Sequence, residues 1–555
     1  MIEKFKKIIL SPLVLALIVA IPTFVSLLRP GYFPMHDDIS AMRLYELDKC
    51  VKDGQIPCRW VPDMGFGYGY PQFNYYAPLP YYIMEAFHLT GLGFLDSVKA
   101  GFIISFVLSA VGMYLLGKSL WGRAGGFISA VFYLYLPYRA VDAFVRGAVG
   151  ELFAMALLPY VFWAARGVLM QRKRAILWFS LSLAALLMSH NITSVIFIPF
   201  LAAWVVFVIY SQRLSSLPDY KKRIFNLGLG GIWGFGLSAF FVLPAFFEKG
   251  LVHIETLTGG YFDYLAHFVS LGQLLFSSYW GYGVSEAGPW DEVMLGVGIL
   301  HWSVAILAVL VAVILKARQK IPTILFWITA GFASLFMIHS RSSAIWRALP
   351  FASFVQFPWR FLLLSGFFFS AAAGSLALFL PKGKNKLILL SALTLVVIGF
   401  NAWNFRPSKW LDISDAQKFS GDSWQRQQTV SIFDYLPIYV QKGPTQVAPD
   451  KPQAIRGTVE SLDWQKGTDW QAGTVRVFEK SQIELPIYYF PNWEVKVDGK
   501  KAELSHEGDL ALIRFELEPG EHKLEAKLKN TPVRTFGNLI SLLGLVLIPL
   551  YLRRK

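Results

Sequence analysis

Cysteine, histidine and charge are scarce in this chain. Of 555 residues, two are cysteine, nine are histidine and only 16% are charged. Water-soluble domains carry about a quarter charged residues, so most of this chain is not an ordinary soluble globule. So few cysteines and histidines, with no clustered spacing and no HExxH, leave no metal signature. No cleavable signal peptide is expected. The first apolar stretch, 8–28, is long for a leader core and lacks a small-residue cleavage pattern, so it is read as a retained anchor. The glycine-rich "GLGGIWGFG" is no nucleotide loop, because it lies inside an apolar run where glycines serve close helix packing.

What is abundant is apolar length. Hydrophobic residues make up 55% of the chain, and runs near the roughly 20 residues needed to cross a bilayer recur throughout. Between them lie seven basic clusters: Lys4/Lys6/Lys7, Lys118/Arg123, Arg166/Arg172–174, Arg213/Lys221–Arg223, Lys316/Arg318/Lys320, Lys382/Lys384/Lys386 and Arg553–Lys555. They carry more positive charge than the chain's net +15, so the remainder is net acidic. The basic excess is therefore a topology signal marking cytoplasmic loops, and it argues against nucleic acid as a partner.

Two successive cytoplasmic clusters need an even number of crossings between them. Ala175 to Tyr210 is too long for one span, so it is read as a hairpin with Ser189-His190-Asn191 at its tip. The same parity predicts about twelve transmembrane helices, near 8–28, 97–117, 126–143, 148–168, 175–189, 193–211, 224–247, 293–315, 321–339, 360–380, 387–403 and 533–552. Both termini are then cytoplasmic in an inner membrane. "LPYYIMEAFHL" is too short for a span and is read as a helix on the outer surface. The expected division is a transmembrane module (1–403) with long outer loops at 29–96 and 248–292, an extracytoplasmic β-rich domain (404–531), and a final helix with a basic tail (532–555). Period-two alternation in "WEVKVDGKKAEL" and "ALIRFELEPGEHKLEAKL" predicts strands, with a hairpin at Asp498-Gly499 and a β-sandwich overall.

Cys50 and Cys58 both fall in the first outer loop, in a compartment that permits disulfides. They are a candidate bridge, with two free thiols as the alternative.

In "PMHDDISAMRLYELDKCVKDGQIPCRW" the chain leaves the first span and meets His36, Asp37 and Asp38. Either aspartate can cap the helix expected from Ile39, a role that contributes about 1 kcal/mol. One suffices, and the other carboxylate remains free to take a proton from a hydroxyl nucleophile. "PYRAVDAFVRGAVGE" adds Arg139, Asp142, Arg146 and Glu151 on the same side. Ionisable groups at membrane depth are costly and functional by default. Arg139 and Arg146, two helical turns apart, suit a phosphate or diphosphate, since guanidinium forks bind such oxygens bidentately. Internal pairing, such as Arg139 with Asp142, is the alternative. Arg360 in "VQFPWRFLLL" sits where a span re-enters, either binding phosphate or snorkelling to headgroups. His190 is either a ligand or a satisfied polar residue. A divalent cation between Glu151 and Asp37 or Asp38 is left open, with no ligand spacing to support it. The aromatic loops "FGYGYPQFNYYAPLPYY" and "SSYWGYGVSEAGPWDE" offer anchors and sugar-stacking rings, and the second is read as a lid.

Several of these stretches resemble a known family. "HDDISAMRLYELDKCVKDGQIPCRWVPDMGFGYGYPQFNYYAPLPYY", "PYRAVDAFVRGAVGE", "SHNITS", "QLLFSSYWGYGVSEAGPWDE" and "QFPWRF" are similar to motifs of the 6-pyruvoyl-tetrahydropterin synthase-related membrane proteins. "YYFPNWEVKVDGK" and "HKLEAKLKNTPVRTFGNLIS" resemble the C-terminal region of membrane glycosyltransferases that decorate lipoteichoic acid. No pterin-synthase domain is visible, so the family name implies no pterin chemistry. The resemblance implies the C-type (GT-C) glycosyltransferase fold and a polyprenyl-phosphate-linked sugar as donor. It also implies an acidic residue in the first outer loop as catalyst, here Asp37, with Asp38 beside it. The family pattern has a single aspartate after the histidine, so the doubled aspartate keeps both as candidates.

The expected function is therefore an inverting membrane glycosyltransferase with a cell-envelope acceptor. Asp37, Asp38 and Glu151 are its expected catalytic carboxylates. Arg139, Arg146 and Arg360 would hold the donor phosphate. His36, Arg59, Trp60, Tyr75, Tyr76, His190, Asn191 and Trp280 would line the substrate. The rivals are a transporter or flippase of lipid-linked sugars and a non-catalytic envelope scaffold.

Overall fold

The computed structural model describes residues 11–430 and 433–553. The predicted basic residues Lys4, Lys6, Lys7, Arg554 and Lys555, and the first residues of span 8–28, lie outside the described residues.

Among the described residues, eight helices are long and apolar enough to cross a membrane: Phe94–Leu134, Val149–Leu169, Asn191–Ser211, Tyr220–Phe247, Ile321–Ile338, Pro358–Leu378, Lys384–Asn404 and Pro532–Arg553. Three shorter apolar helices, Pro12–Leu28, Ala175–Leu187 and Ile299–Ile314, fall on other predicted spans. The 41-residue helix Phe94–Leu134 is interrupted at Gly122, whose φ of 77° and ψ of −176° are not helical. Two helical stretches therefore meet at the Lys118/Arg123 cluster, as the charge pattern expects. The second stops at Leu134, earlier than the predicted 143. Pro137 disfavours a helical residue before it, and Leu136 is extended at φ −63°, ψ 125°. Apolar side chains stand exposed along several helices, as with Ile232 at 73% and Phe225 at 68%, which is the surface expected of lipid-facing helices.

The chain forms two compact units. The first comprises Met1–Asp38, Leu95–Phe235 and Thr258–Asp412 and is helical. Its core is dense in aromatics: Trp204 and Trp327 lie 4.7 Å apart, and Phe162 meets Phe367 edge-on at 5.1 Å. The turn at 188–190 joins the helices Ala175–Leu187 and Asn191–Ile196, placing His190 at the tip of the predicted hairpin.

The second unit comprises Ile39–Phe94, Gly236–Leu257 and Ile413–Lys555. Its strands are β1 (Gln453–Arg456), β2 (Val459–Lys466), β3 (Trp470–Val477), β4 (Ser481–Tyr488), β5 (Trp493–Val497), β6 (Lys500–Lys501), β7 (Leu512–Leu517) and β8 (Gly520–Leu528). They form two sheets, ordered β1-β4-β7 and β2-β3-β8-β5-β6, with antiparallel pairings. Ile483 and Phe515 from one sheet share a core with Val475, Val495 and Leu524 from the other. The predicted hairpin is present: Val497 pairs with Lys500, and Asp498 and Gly499 both have positive φ, 52° and 80°. Two left-handed residues in a two-residue loop match the right-handed twist of the strands.

In the same unit, the helix Ser40–Lys52 has Ile39 at its N-cap position, so neither aspartate takes the place expected of the cap. Cys50 and Cys58 are joined by a disulfide, with Cα atoms 5.5 Å apart. The surface-helix segment is helical over Leu79–His88.

Candidate functional site

The polar site of the helical unit is built around a break in the helix ladder. After the short helix Pro137–Val141, residues Asp142–Arg146 wind as a π-helical turn, which Gly147 ends at φ 71°. A β-carbon on Gly147 would lie 2.2 Å from the Met35 sulfur, so glycine is required both by conformation and by the close approach of the first segment. That approach has a purpose in the backbone. His36 N donates to Val145 O at 3.0 Å and Asp37 N to Arg146 O at 2.8 Å. The loop leaving the first helix is thereby pinned to the turn that carries the arginine.

Arg146 is held by one nitrogen. Its Nη1 donates to the Tyr138 hydroxyl at 3.0 Å, to Glu151 Oε2 at 2.8 Å and to Asp142. Tyr138 in turn donates to Glu151 Oε1 at 2.6 Å. The Nε and Nη2 edge of Arg146 makes no hydrogen bond among the described residues, and the side chain is 10% exposed. Arg360 is arranged alike. Its Nη1 donates to Val355 O and Gln356 Oε1, both at 2.8 Å, and its Nε stands 3.7 Å from Glu151 Oε2. Asp37 is exposed, and its backbone N–H is the group bonded to Arg146 O. Asp38 is half-buried beside it.

His190 is half-buried and caps the helix Asn191–Ile196, its Nδ1 accepting from Thr193 N at 3.3 Å. Burial pushes its pKa down to about 3; Glu151 opposes that shift, while Arg360 and Arg146 add to it. The ring is neutral at physiological pH. Asn191 is exposed. His36 Nε2 donates to Tyr282 O at 3.0 Å, and Trp280 meets Tyr282 edge-on at 5.9 Å. The segment expected to act as a lid is thus tied down next to Asp37.

Three expectations need correction. Arg139 does not join the cluster: it is wholly buried, donating to Ser109 Oγ at 2.7 Å and Tyr133 O at 3.1 Å. The alternative pairing of Arg139 with Asp142 gives way to Arg146 with Asp142. Glu151 is an anchor for arginine, not a free carboxylate: its oxygens are taken by Tyr138 and Arg146. A cation shared by Glu151 and Asp37 or Asp38 is therefore not what these residues are arranged to hold, and no group of three or more candidate ligands occurs among the described residues. Arg59, Trp60, Tyr75 and Tyr76, expected to line the substrate, belong to the second unit and have partners inside it. Arg59 donates to Phe240 O, Asn538 and Asn74. Trp60 packs on Phe490 and Trp493. The Tyr75 hydroxyl donates to Glu248 O at 2.7 Å, and Arg43 lies 3.8 Å from the Tyr76 ring. These side chains tie segments of that unit together.

Sequence reasoning did not single out Tyr138 or Trp359 as site residues. Both lie inside the quoted motifs, at "PYR" and "PWR", directly before arginines.

Apolar helices enclosing a buried, charge-paired cluster with an exposed aspartate at its edge define a multi-pass membrane protein with a polar site in its helical unit. Residues 73–406 match the model of the 6-pyruvoyl-tetrahydropterin synthase related domain, described as a membrane protein, and the chain belongs to that family. An uncharacterized protein of Lactococcus lactis subsp. cremoris (strain MG1363) is 21% identical over 253 residues, 44% of this chain and 40% of that protein. Among solved structures, the chain is similar to the mycobacterial arabinofuranosyltransferase AftD, with TM-score 0.42 and 14% identity over 73% of this chain and 27% of the other. It is similar to ArnT from Cupriavidus metallidurans bound to undecaprenyl phosphate, with TM-score 0.39 and 12% identity over 70% and 63% of the two chains. It is also similar to the oligosaccharyltransferase of Archaeoglobus fulgidus, with TM-score 0.43 and 12% identity over 80% and 60%. The chain spans less than two thirds of the length of each of these relatives.

Proposed function

We propose that this protein is a membrane glycosyltransferase that moves a sugar from a polyprenyl-phosphate donor to a cell-envelope acceptor, with Asp37 as general base. One observation carries the reading. The backbone of Asp37, an exposed carboxylate, is bonded to Arg146, and Arg146 and Arg360 converge on Glu151, each held through its Nη1 and each keeping its Nη2 free of hydrogen bonds among the described residues. That is the pairing such a transfer needs: a proton acceptor next to an oxyanion clamp.

In this mechanism the acceptor hydroxyl attacks the anomeric carbon and gives its proton to Asp37. The bond between the anomeric carbon and the phosphate oxygen breaks, and the electron pair leaves with the lipid phosphate. Arg146 and Arg360 neutralise that phosphate. In-line attack inverts the anomeric centre, and Asp37 later returns its proton to water. Asp142, Glu151 and Tyr138 take no part in bond changes; they hold Arg146 in place. Asp38 is the alternative base.

The donor's carrier cannot leave the hydrocarbon, so the base must sit where the chain emerges from the bilayer. By the charge pattern that is the extracytoplasmic face of the inner membrane, with both termini cytoplasmic and the β-rich segment 404–531 outside. The resemblance of the C-terminal region to lipoteichoic-acid-decorating enzymes supports a cell-envelope acceptor.

The test is sugar transfer by purified protein in detergent, where transport has no meaning, with a panel of labelled polyprenyl-phosphate sugars. Arg146→Lys keeps the charge but loses the planar fork, and transfer is expected to fall about 10- to 100-fold. Undiminished transfer by Arg146→Lys and Arg360→Lys together would refute the clamp.

A further inference from the structure

Arg146 is surrounded by more than its ion partners. The Trp359 ring lies 4.6 Å from its guanidinium carbon, at cation–π distance. Trp359 is itself packed, stacked on Phe357 at 4.6 Å and meeting Tyr138 edge-on at 6.2 Å. Its indole N–H donates to Ser285 Oγ at 3.1 Å. Ser285 is buried, a rare place for a loop hydroxyl. It donates to Asp291 Oδ1 at 2.9 Å and lies 3.0 Å from His267 Nδ1, whose other nitrogen donates to Tyr261 O at 2.6 Å. Asp291 also accepts from Glu286 N at 3.0 Å and Gln273 Nε2 at 2.9 Å. A tryptophan on the turn Pro358–Phe361 is therefore fastened to the 258–292 segment through one hydroxyl. The ion partners fix only one end of the guanidinium, while the indole covers its face.

We propose that Trp359 is a positioning residue for Arg146 and that Ser285 is the catch that holds it. The 258–292 segment thus sets the angle at which Arg146 presents its phosphate-binding edge. The proposal rests on the reading of Arg146 as the donor-phosphate ligand. It assigns the segment a role other than covering the site: it tunes affinity for the anionic head of the lipid carrier.

The experiment measures undecaprenyl phosphate binding by the full-length protein in detergent. Ser285→Ala and Trp359→Phe, each removing the tether but not the ring, are expected to weaken binding about 3- to 10-fold, and Trp359→Leu more than about 10-fold. Ser285→Thr keeps the hydroxyl and is expected to bind within about twofold of wild type. In an Arg146→Gln background, Ser285→Ala is expected to change nothing further, because the tether acts through Arg146. Wild-type binding by Ser285→Ala and Trp359→Phe, while Arg146→Gln loses binding, overturns the positioning role and leaves the proposed function standing. A further loss from Ser285→Ala in the Arg146→Gln background also overturns it, marking the tether as general support. If Arg146→Gln binds as wild type, the phosphate reading falls and this inference falls with it.

Discussion

Replacing Arg146 with glutamine tests how the buried cluster is held together. One nitrogen of that guanidinium serves Tyr138, Asp142 and Glu151, and the two acids are 0% and 1% exposed. Glutamine leaves two carboxylates buried with one cation, Arg360, 3.7 Å from one of them. Breaking a buried ion pair by removing one partner costs about 3–5 kcal/mol, because the orphaned charge keeps its desolvation penalty. A second change, Glu151→Gln, removes one orphaned charge and is expected to recover about 1–3 kcal/mol through coupling of neighbouring sites. Arg360→Gln should cost less, about 1–3 kcal/mol, because its hydrogen bonds go to a carbonyl and a neutral amide. The assay is the unfolding midpoint of the purified protein in detergent for the two single variants and the Arg146/Glu151 pair. Arg146→Gln is expected to be the least stable, with the double variant and Arg360→Gln both closer to wild type. Wild-type stability of Arg146→Gln, or a double variant less stable than Arg146→Gln alone, would refute the reasoning.

Three further outcomes follow from other residues. Burial and the neighbouring Asp48 charge raise the Glu85 pKa to about 7, against His88 and Lys52, while the unfolded chain titrates near 4.5. The folded state then holds a proton that the unfolded state has lost, so stability should fall by on the order of 2–3 kcal/mol as pH rises from about 4.5 to 7. Glu85→Gln should flatten that slope in unfolding midpoints taken across the range, and an unchanged slope would contradict it. Reducing the Cys50–Cys58 bridge reopens a short loop and should cost about 2–3 kcal/mol, read as a drop in the unfolding midpoint with reductant that a Cys50→Ser/Cys58→Ser variant no longer shows. Gly147→Ala places a β-carbon on a left-handed residue against Met35, and should cost at least about 1–2 kcal/mol while reducing sugar transfer by shifting the His36–Asp37 strap.

Much of the architecture was legible because it follows from local rules. Apolar runs mark the helices, and basic clusters mark breaks such as Gly122. Asp498-Gly499 announces its hairpin because two left-handed residues suit that turn. The motifs "PYRAVDAFVRGAVGE" and "QFPWRF" carry Arg146 and Arg360, which the structure brings together at Glu151. What could not be read is which arginine faces which way. Arg139 and Arg146 look equivalent on a regular helix, but Pro137, the π-helical turn and Gly147 break that regularity. Arg139 is turned toward Ser109 and Tyr133, thirty and six residues away in sequence. The packing of the aromatics of the first outer loop was hidden for a related reason. Composition reads the same whether a ring stacks on sugar or packs against a strand, and Trp60 finds Phe490 and Trp493 more than four hundred residues on. Such partners depend on long-range packing, which no local pattern encodes.

The central claim is that Asp37 accepts the acceptor's proton. Its carboxylate is exposed and makes no side-chain hydrogen bond among the described residues, so Asp37→Asn should leave stability within about 0.5 kcal/mol of wild type. The decisive measurement is sugar transfer from a labelled polyprenyl-phosphate donor by purified Asp37→Asn protein. The account predicts a fall of about 100- to 10,000-fold with an unchanged unfolding midpoint. Transfer at the wild-type rate would contradict it.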